Sequence, residues 1–268
     1  MAILNGVVYS KALNMDTTVY VILPHDTRPH LGIDKMYDGI TASEHPKTLI
    51  LLHGLTDNCG AWPYRTSIMR YAEMYDLTVI MPEVQKSFYL DLKYGSKYFT
   101  YIVDELPELA SRMFNISVDP DSLLIAGLSM GGYGALLAGL SRPGKYLGIG
   151  AFSSACDIAQ IVSDEFSNRK ETVGWDKECI ALFGPERKIP DYADLWKLAE
   201  KAAESEKKPR IYMACGNEDA LLPQNEAMYA KLQELHFDTK MEIWEGNHTW
   251  WFWDVAIQKM LDHILLNK

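Results

Sequence analysis

A serine between two glycines, a carboxylate in a strand-terminal turn and a histidine in a later loop are the residues of this chain whose types and order could do chemistry together. Ser129 lies in Gly127-Leu128-Ser129-Met130-Gly131, inside the run LLIAGLSMGGYGALLAGL. A bare G-x-S-x-G arises by chance often enough to say little, and a glycine-rich turn with an idle serine would look the same. The setting is more specific. A buried apolar run precedes the motif and a small-residue helix start follows, as a sharp turn that lifts a serine hydroxyl into the open requires. Side chains at the flanking glycines would collide with neighbouring backbone, and the serine itself must take strained angles. A serine hydroxyl is a poor nucleophile at neutral pH, so it needs a general base and an acid that orients the base.

Three histidines follow Ser129. His236 near a helix end and His263 inside the last helix read as surface or capping residues, whereas His248 in EGNHT occupies the loop after a strand. The acid is expected where the strand RIYMAC runs into Gly216-Asn217-Glu218-Asp219, at the carboxyl end where ligand chemistry collects in open α/β sheets. Asp219 is the first choice and Glu218 the reserve, with turn capping the competing role for either. Attack on a carbonyl also needs donors for the oxyanion. The expected ones are the backbone N–H of Met130 and that of Leu55 in LLHGLTDN, where Gly54 lets the chain turn. His53 precedes Ser129 and reads as a residue that shapes this turn. After His248 comes TWWFWD; successive helical side chains point about 100 degrees apart, so at most one or two of these rings face the site. Trp250 is expected to wall a substrate pocket and the rest to pack or lie exposed.

Short β-branched runs alternating with longer helical stretches must position these residues, which predicts an α/β fold with a mostly parallel central sheet flanked by helices. Strands are expected at Val7–Tyr9, Thr18–Leu23, Thr48–Leu52, Thr78–Met81, Ser122–Ala126, Leu147–Phe152, Arg210–Ala214 and Lys240–Trp244, the first two pairing antiparallel at an edge. Helices are expected at Ala61–Tyr75, Lys97–Phe114, Met130–Leu140, Gln224–Leu235 and Trp250–Leu265. Residues 155–205 break the rhythm and read as an insertion after the sixth strand, a cap or lid within a single domain spanning 1–268. Its aromatics Phe166, Trp175, Phe183, Tyr192 and Trp196 either line a substrate pocket, with Trp175 the nominated contact, or form the insertion's own small core.

Composition bounds the rest. With 268 residues the chain hides enough surface to need neither disulfides nor a metal. Twenty-six basic against 36 acidic residues give a net charge of −10, which repels phosphate backbones and anionic lipids and so argues against nucleic acid or membrane partners. Cys59, Cys156, Cys179 and Cys215 are scattered, without a C-x-x-C pair or zinc-ligand spacing, and read as buried thiols. The N-terminal residues alternate like a strand rather than like a secretion signal, and no 18-residue apolar run appears. A cytoplasmic protein is expected.

Taken together, LLHGLTDN, GLSMGGYGA, GNEDALL and EGNHTWWFWD resemble the α/β-hydrolase esterases that include tributyrin esterase, esterase D (S-formylglutathione hydrolase) and feruloyl or acetyl xylan esterases. The likeness runs from about Lys47 onward and is greatest to the small bacterial tributyrin esterases. It implies a serine carboxylesterase with Ser129, Asp219 and His248 as triad, Leu55 and Met130 as oxyanion donors, no cofactor, a small-molecule ester substrate and a possible homo-oligomer. An S-formylglutathione hydrolase-like thioesterase would carry the same triad. A catalytically silent member used for binding would be expected to lack one of its residues.

Overall fold

A computed structural model describes residues 1–24, 46–163 and 174–266. Eight strands form one sheet: β1 (Ala2–Ser10), β2 (Met15–Leu23), β3 (Lys47–Leu52), β4 (Leu77–Pro82), β5 (Leu123–Leu128), β6 (Gly148–Phe152), β7 (Arg210–Gly216) and β8 (Thr239–Trp244). Their spatial order is β1-β2-β4-β3-β5-β6-β7-β8. The β1–β2 and β2–β4 pairs are antiparallel, and the pairs from β4 to β8 are parallel. Every residue of β4, β5 and β6 is buried, because a parallel sheet is covered on both faces.

The two faces follow from the period of two in a strand. Ile50, Leu52, Ile80 and Ile125 point into one core. There they meet α4 (Leu106–Phe114), α5 (Met130–Ser141), α7 (Trp175–Phe183), α8 (Leu195–Ala203) and α9 (Leu222–Glu234). Their neighbours Leu49, Leu51, Val79 and Leu124 point into the other, against α1 (Ala61–Arg65), α2 (Ile68–Met74) and α10 (Trp250–Leu266). α5 is buried all round from Met130 to Leu140. It can lie that close to the sheet because its glycines carry no side chain: a Cβ on Gly139 would stand 1.9 Å from Ile149 Cδ1.

Three elements differ from expectation. The stretch Ala61–Tyr75 is broken between α1 and α2, where Thr66 is extended (φ −136°). Its hydroxyl donates to Trp62 O and accepts from Ile68 N, while the Ser67 amide donates to Asp254 Oδ1 at 2.8 Å. Lys97–Phe114 comprises α3 (Tyr98–Thr100), a π-helical turn at Tyr101–Glu105, and α4. In the stretch 155–205 the described residues form α6 (Ile158–Ile161), α7, a 3-10 turn at Asp191–Ala193, and α8. Asp194 caps α8, accepting from Trp196 N and Lys197 N, and Leu195, Leu198, Ala199 and Ala202 supply its buried face. Phe166 lies outside the described residues.

Candidate active site

Ser129 is the joint between β5 and α5, with φ 53° and ψ −116°, angles that an L side chain adopts only when its surroundings enforce them. The enforcement is visible. Ser129 N donates to Phe152 O at 2.8 Å, and Ser129 O accepts from both Tyr133 N and Ala155 N. A Cβ on Gly127 would stand 2.5 Å from the Gly131 carbonyl carbon, and one on Gly131 would stand 2.5 Å from Leu52 O. The glycines on either side of the serine are therefore steric requirements of the turn, and the half-buried Ser129 side chain is left at the carboxyl end of the sheet.

The loops after β7 and β8 are laced together at the same end. Asn217 N donates to Trp244 O, Glu218 N to Gly246 O, and Gly246 N to Asn217 Oδ1. Asp219 stands in the first loop, its Oδ1 accepting from Leu221 N at 2.9 Å, and its Oδ2 lies 2.9 Å from His248 Nδ1. Glu218 is exposed and takes no part in this pair. The Asp219 side chain is fully buried whereas that of His248 is 39% exposed, so the pair runs from the interior to an open face. Burial pushes the Asp219 carboxyl up, but hydrogen bonding and attraction from His248, with the Leu221 amide and Ser153 hydroxyl, outweigh it and hold the group below its ordinary range. A charged carboxylate at Nδ1 fixes the ring proton there and leaves Nε2 with the lone pair. The His248 ring meets Trp253 edge to face at 4.8 Å.

The turn after β3 closes through Asp57 N donating to Gly54 O. It rests on the residue preceding the serine, since a Cβ on Gly54 would lie 2.8 Å from Leu128 Cδ1. Neither Leu55 N nor Met130 N donates to an acceptor among the described residues. Met130 opens α5, where first-turn amides have no partner within the helix. His53 is buried with both ring nitrogens engaged: Nδ1 lies 2.8 Å from Gly54 O, and Nε2 accepts from Val84 N at 3.2 Å with Glu83 Oε1 3.5 Å away. Burial opposes ionisation of Glu83, yet His53 and the Cys59 and Gln85 amides lower it to about 2.

The aromatic residues divide differently from expectation. Trp250 is half-buried, edge-on to Trp62 and to Trp253 at 5.3 Å each. Trp175, expected against substrate, is instead a core residue: 3% exposed, its indole N–H on Ile161 O at 2.7 Å and its ring 5.7 Å from Phe88. At the head of α7 it packs toward the sheet, which satisfies both its apolar ring and its single donor. His236 ends α9 in a left-handed conformation, and His263 lies beside Tyr212. All four cysteines are free and buried, and burial first of all pushes Cys59, Cys156 and Cys215 up to about 12. Among the described residues no group of His, Cys, Asp and Glu could hold a metal ion, and no helix is long and apolar enough to cross a membrane.

Sequence reasoning missed a buried amide. Asn225 takes the Ser154 amide on Oδ1 and donates through Nδ2 to Ser154 O and Leu221 O, tying the loop after β6 to the start of α9. Its one signal was a polar pair, Gln224-Asn225, where the helix should present its apolar face.

The family model described as "Putative esterase" matches residues 10–264. The chain belongs to this esterase family. An acetyl esterase of Caldicellulosiruptor saccharolyticus is 34% identical over 264 residues, 96% of each chain. Two solved structures from Staphylococcus aureus superpose over 98% of both chains at 28% identity. They are the fluorophosphonate-binding serine hydrolase FphF, with a TM-score of 0.83, and the S-formylglutathione hydrolase FrmB, with 0.82. This esterase thus has the α/β-hydrolase fold, and its reaction class is the hydrolysis of carboxylic esters.

Proposed function

We propose that this esterase cleaves short-chain acyl or aryl esters, acetyl, butyryl and hydroxycinnamoyl among them, through an acyl-serine intermediate. One observation carries the reading: a strained Ser129 at a strand-to-helix joint shares the carboxyl end of the sheet with a His248–Asp219 pair bonded at 2.9 Å. Ser129 Oγ attacks the ester carbonyl carbon while His248 Nε2 takes its proton, and Asp219 holds the imidazole in the useful tautomer and stabilises its cation. The amides of Leu55 and Met130 receive the developing oxyanion. Collapse of the tetrahedral species breaks the carbonyl–alkoxy bond, and His248 returns the proton to the departing alcohol. Water then attacks the acyl-serine by the same route, releasing the carboxylic acid and restoring Ser129. No cofactor enters. The described parts of the insertion, residues 155–163 and 174–205, serve as a cap over the site, and Trp250 walls the substrate pocket. Four free, buried cysteines support residence in a reducing cytoplasm.

With p-nitrophenyl butyrate as substrate, Ser129→Ala should lower kcat by up to about a millionfold. Near-normal turnover in that variant would end the reading. Likeness to FrmB supports a second reading, a thioesterase acting on S-formylglutathione with the same residues. Comparing kcat/KM on p-nitrophenyl acetate, methyl ferulate and S-formylglutathione separates the two.

A further inference from the structure

Behind the His248–Asp219 pair stand two side chains that the hydrolytic steps do not use. Ser153 follows β6, is fully buried and has φ 44°, a conformation unusual for a serine. Its amide donates to Ala214 O at 2.8 Å, which fixes it between β6 and β7. Its Oγ accepts from Trp253 Nε1 at 3.1 Å, and the same indole meets the His248 ring at 4.8 Å and 88°. An indole N–H only donates, so it occupies a lone pair of Ser153 Oγ and leaves the hydroxyl proton to point elsewhere. The Ser153 hydroxyl is among the groups that hold the Asp219 carboxyl below its ordinary range, and it bears in the same sense on the Cys215 thiol. The thiol is pushed up first by burial and then by Asp219, so it stays protonated and the carboxylate is the charged acceptor.

We propose that Ser153 and Trp253 are positioning residues for the esterase reaction: Trp253 orients the Ser153 hydroxyl, and that hydroxyl is a third donor to Asp219 beside Leu221 N and His248 Nδ1. The four side chains then close a ring in which Trp253 also backs the imidazole. This rests on the acyl-serine reading. Each donor to the carboxylate disperses its charge. Removing the hydroxyl therefore leaves a more basic carboxylate and a more readily protonated imidazole, and the acidic limb of kcat/KM moves to higher pH.

Ser153→Gly tests this without adding backbone strain, since glycine accepts φ 44°. Without that fixed donor Asp219, and through it the imidazole, is less firmly aimed, and a small misplacement of a catalytic group costs about tenfold or more in rate. Ser153→Gly should thus lower kcat about tenfold or more with KM within about twofold, and should shift the acidic limb upward by about half a pH unit. Trp253→Phe keeps a ring beside His248 and should move both readouts the same way by less. The double variant should be no worse than Ser153→Gly alone, because both changes act through one hydroxyl. Wild-type kcat and acidic limb in Ser153→Gly, or independent addition of the two effects, overturns the proposal. Should Ser153→Gly fail to fold, Trp253→Phe still decides: an unmoved acidic limb there is the same refutation. Ser129→Ala measured alongside keeps the readings apart, since a working Ser129→Ala enzyme defeats the acyl-serine mechanism itself. An inert Ser129→Ala with an unaltered Ser153→Gly defeats only the positioning roles.

Discussion

At the residue scale, Asp219 and His248 divide labour by exposure: the carboxylate is dry and bound by fixed donors, while the imidazole reaches solvent. A buried carboxylate held below its ordinary range stays charged wherever the enzyme works, so its contribution is constant in sign. Asp219→Asn keeps the size of the side chain but offers an N–H or a weaker acceptor to Nδ1, favouring the wrong tautomer. The expected loss in kcat is about ten-thousandfold, with KM little changed, read by steady-state kinetics on p-nitrophenyl butyrate. Ser129, Asp219 and His248 could be nominated from the sequence because each has a local signature: a glycine on both sides, a strand end, a loop after a strand. Ser153 and Asn225 were not. Their importance comes from contacts 100 and 71 residues away, with Trp253 and Ser154, and neither contact leaves a spacing to read.

At the element scale, the loops after β6, β7 and β8 form one laced unit, with Asn225 as its buried tie. Asn225→Ala would strand the Ser154 amide and the Ser154 carbonyl, while Leu221 O would keep the Asn225 backbone amide, at about 1–3 kcal/mol for the more deeply buried of the two stranded groups. Urea unfolding should show that loss as a lower midpoint with an unchanged slope. Activity should fall too, since α9 begins beside Leu221, whose amide holds Asp219. The strands were readable because a sheet covered on both faces demands near-continuous apolar runs, and β3 to β7 comply. The helices of the insertion were not foreseen, although Asp194 before Leu195, Leu198, Ala199 and Ala202 is a cap followed by an apolar stripe. The break between α1 and α2 depends on Asp254, 187 residues from the amide it holds, and no local pattern announces that.

At the scale of the whole molecule, the half-buried Glu83 and the buried Asp219 tie stability to pH. Glu83 is lowered from 4.5 to about 2 in the folded chain, so its contribution is complete above about pH 4.5 and is lost as pH falls toward 2. Asp219, depressed in the same sense, adds to the loss at low pH. Glu83→Gln should be less stable than wild type at pH 7, and the gap should narrow as pH falls from 5 to 2.5, read from urea midpoints; a constant gap would count against the assignment. The same glutamate anchors His53, Cys59 and Gln85, so folding stability and the shape of the turn after β3 share one group. The central claim, an activated Ser129 served by His248, is tested most directly by mass spectrometry of protein treated with a fluorophosphonate. A single adduct on the Ser129 peptide, formed far more slowly in His248→Ala, is the predicted result. An adduct on another residue, or equal labelling rates with and without His248, would contradict it.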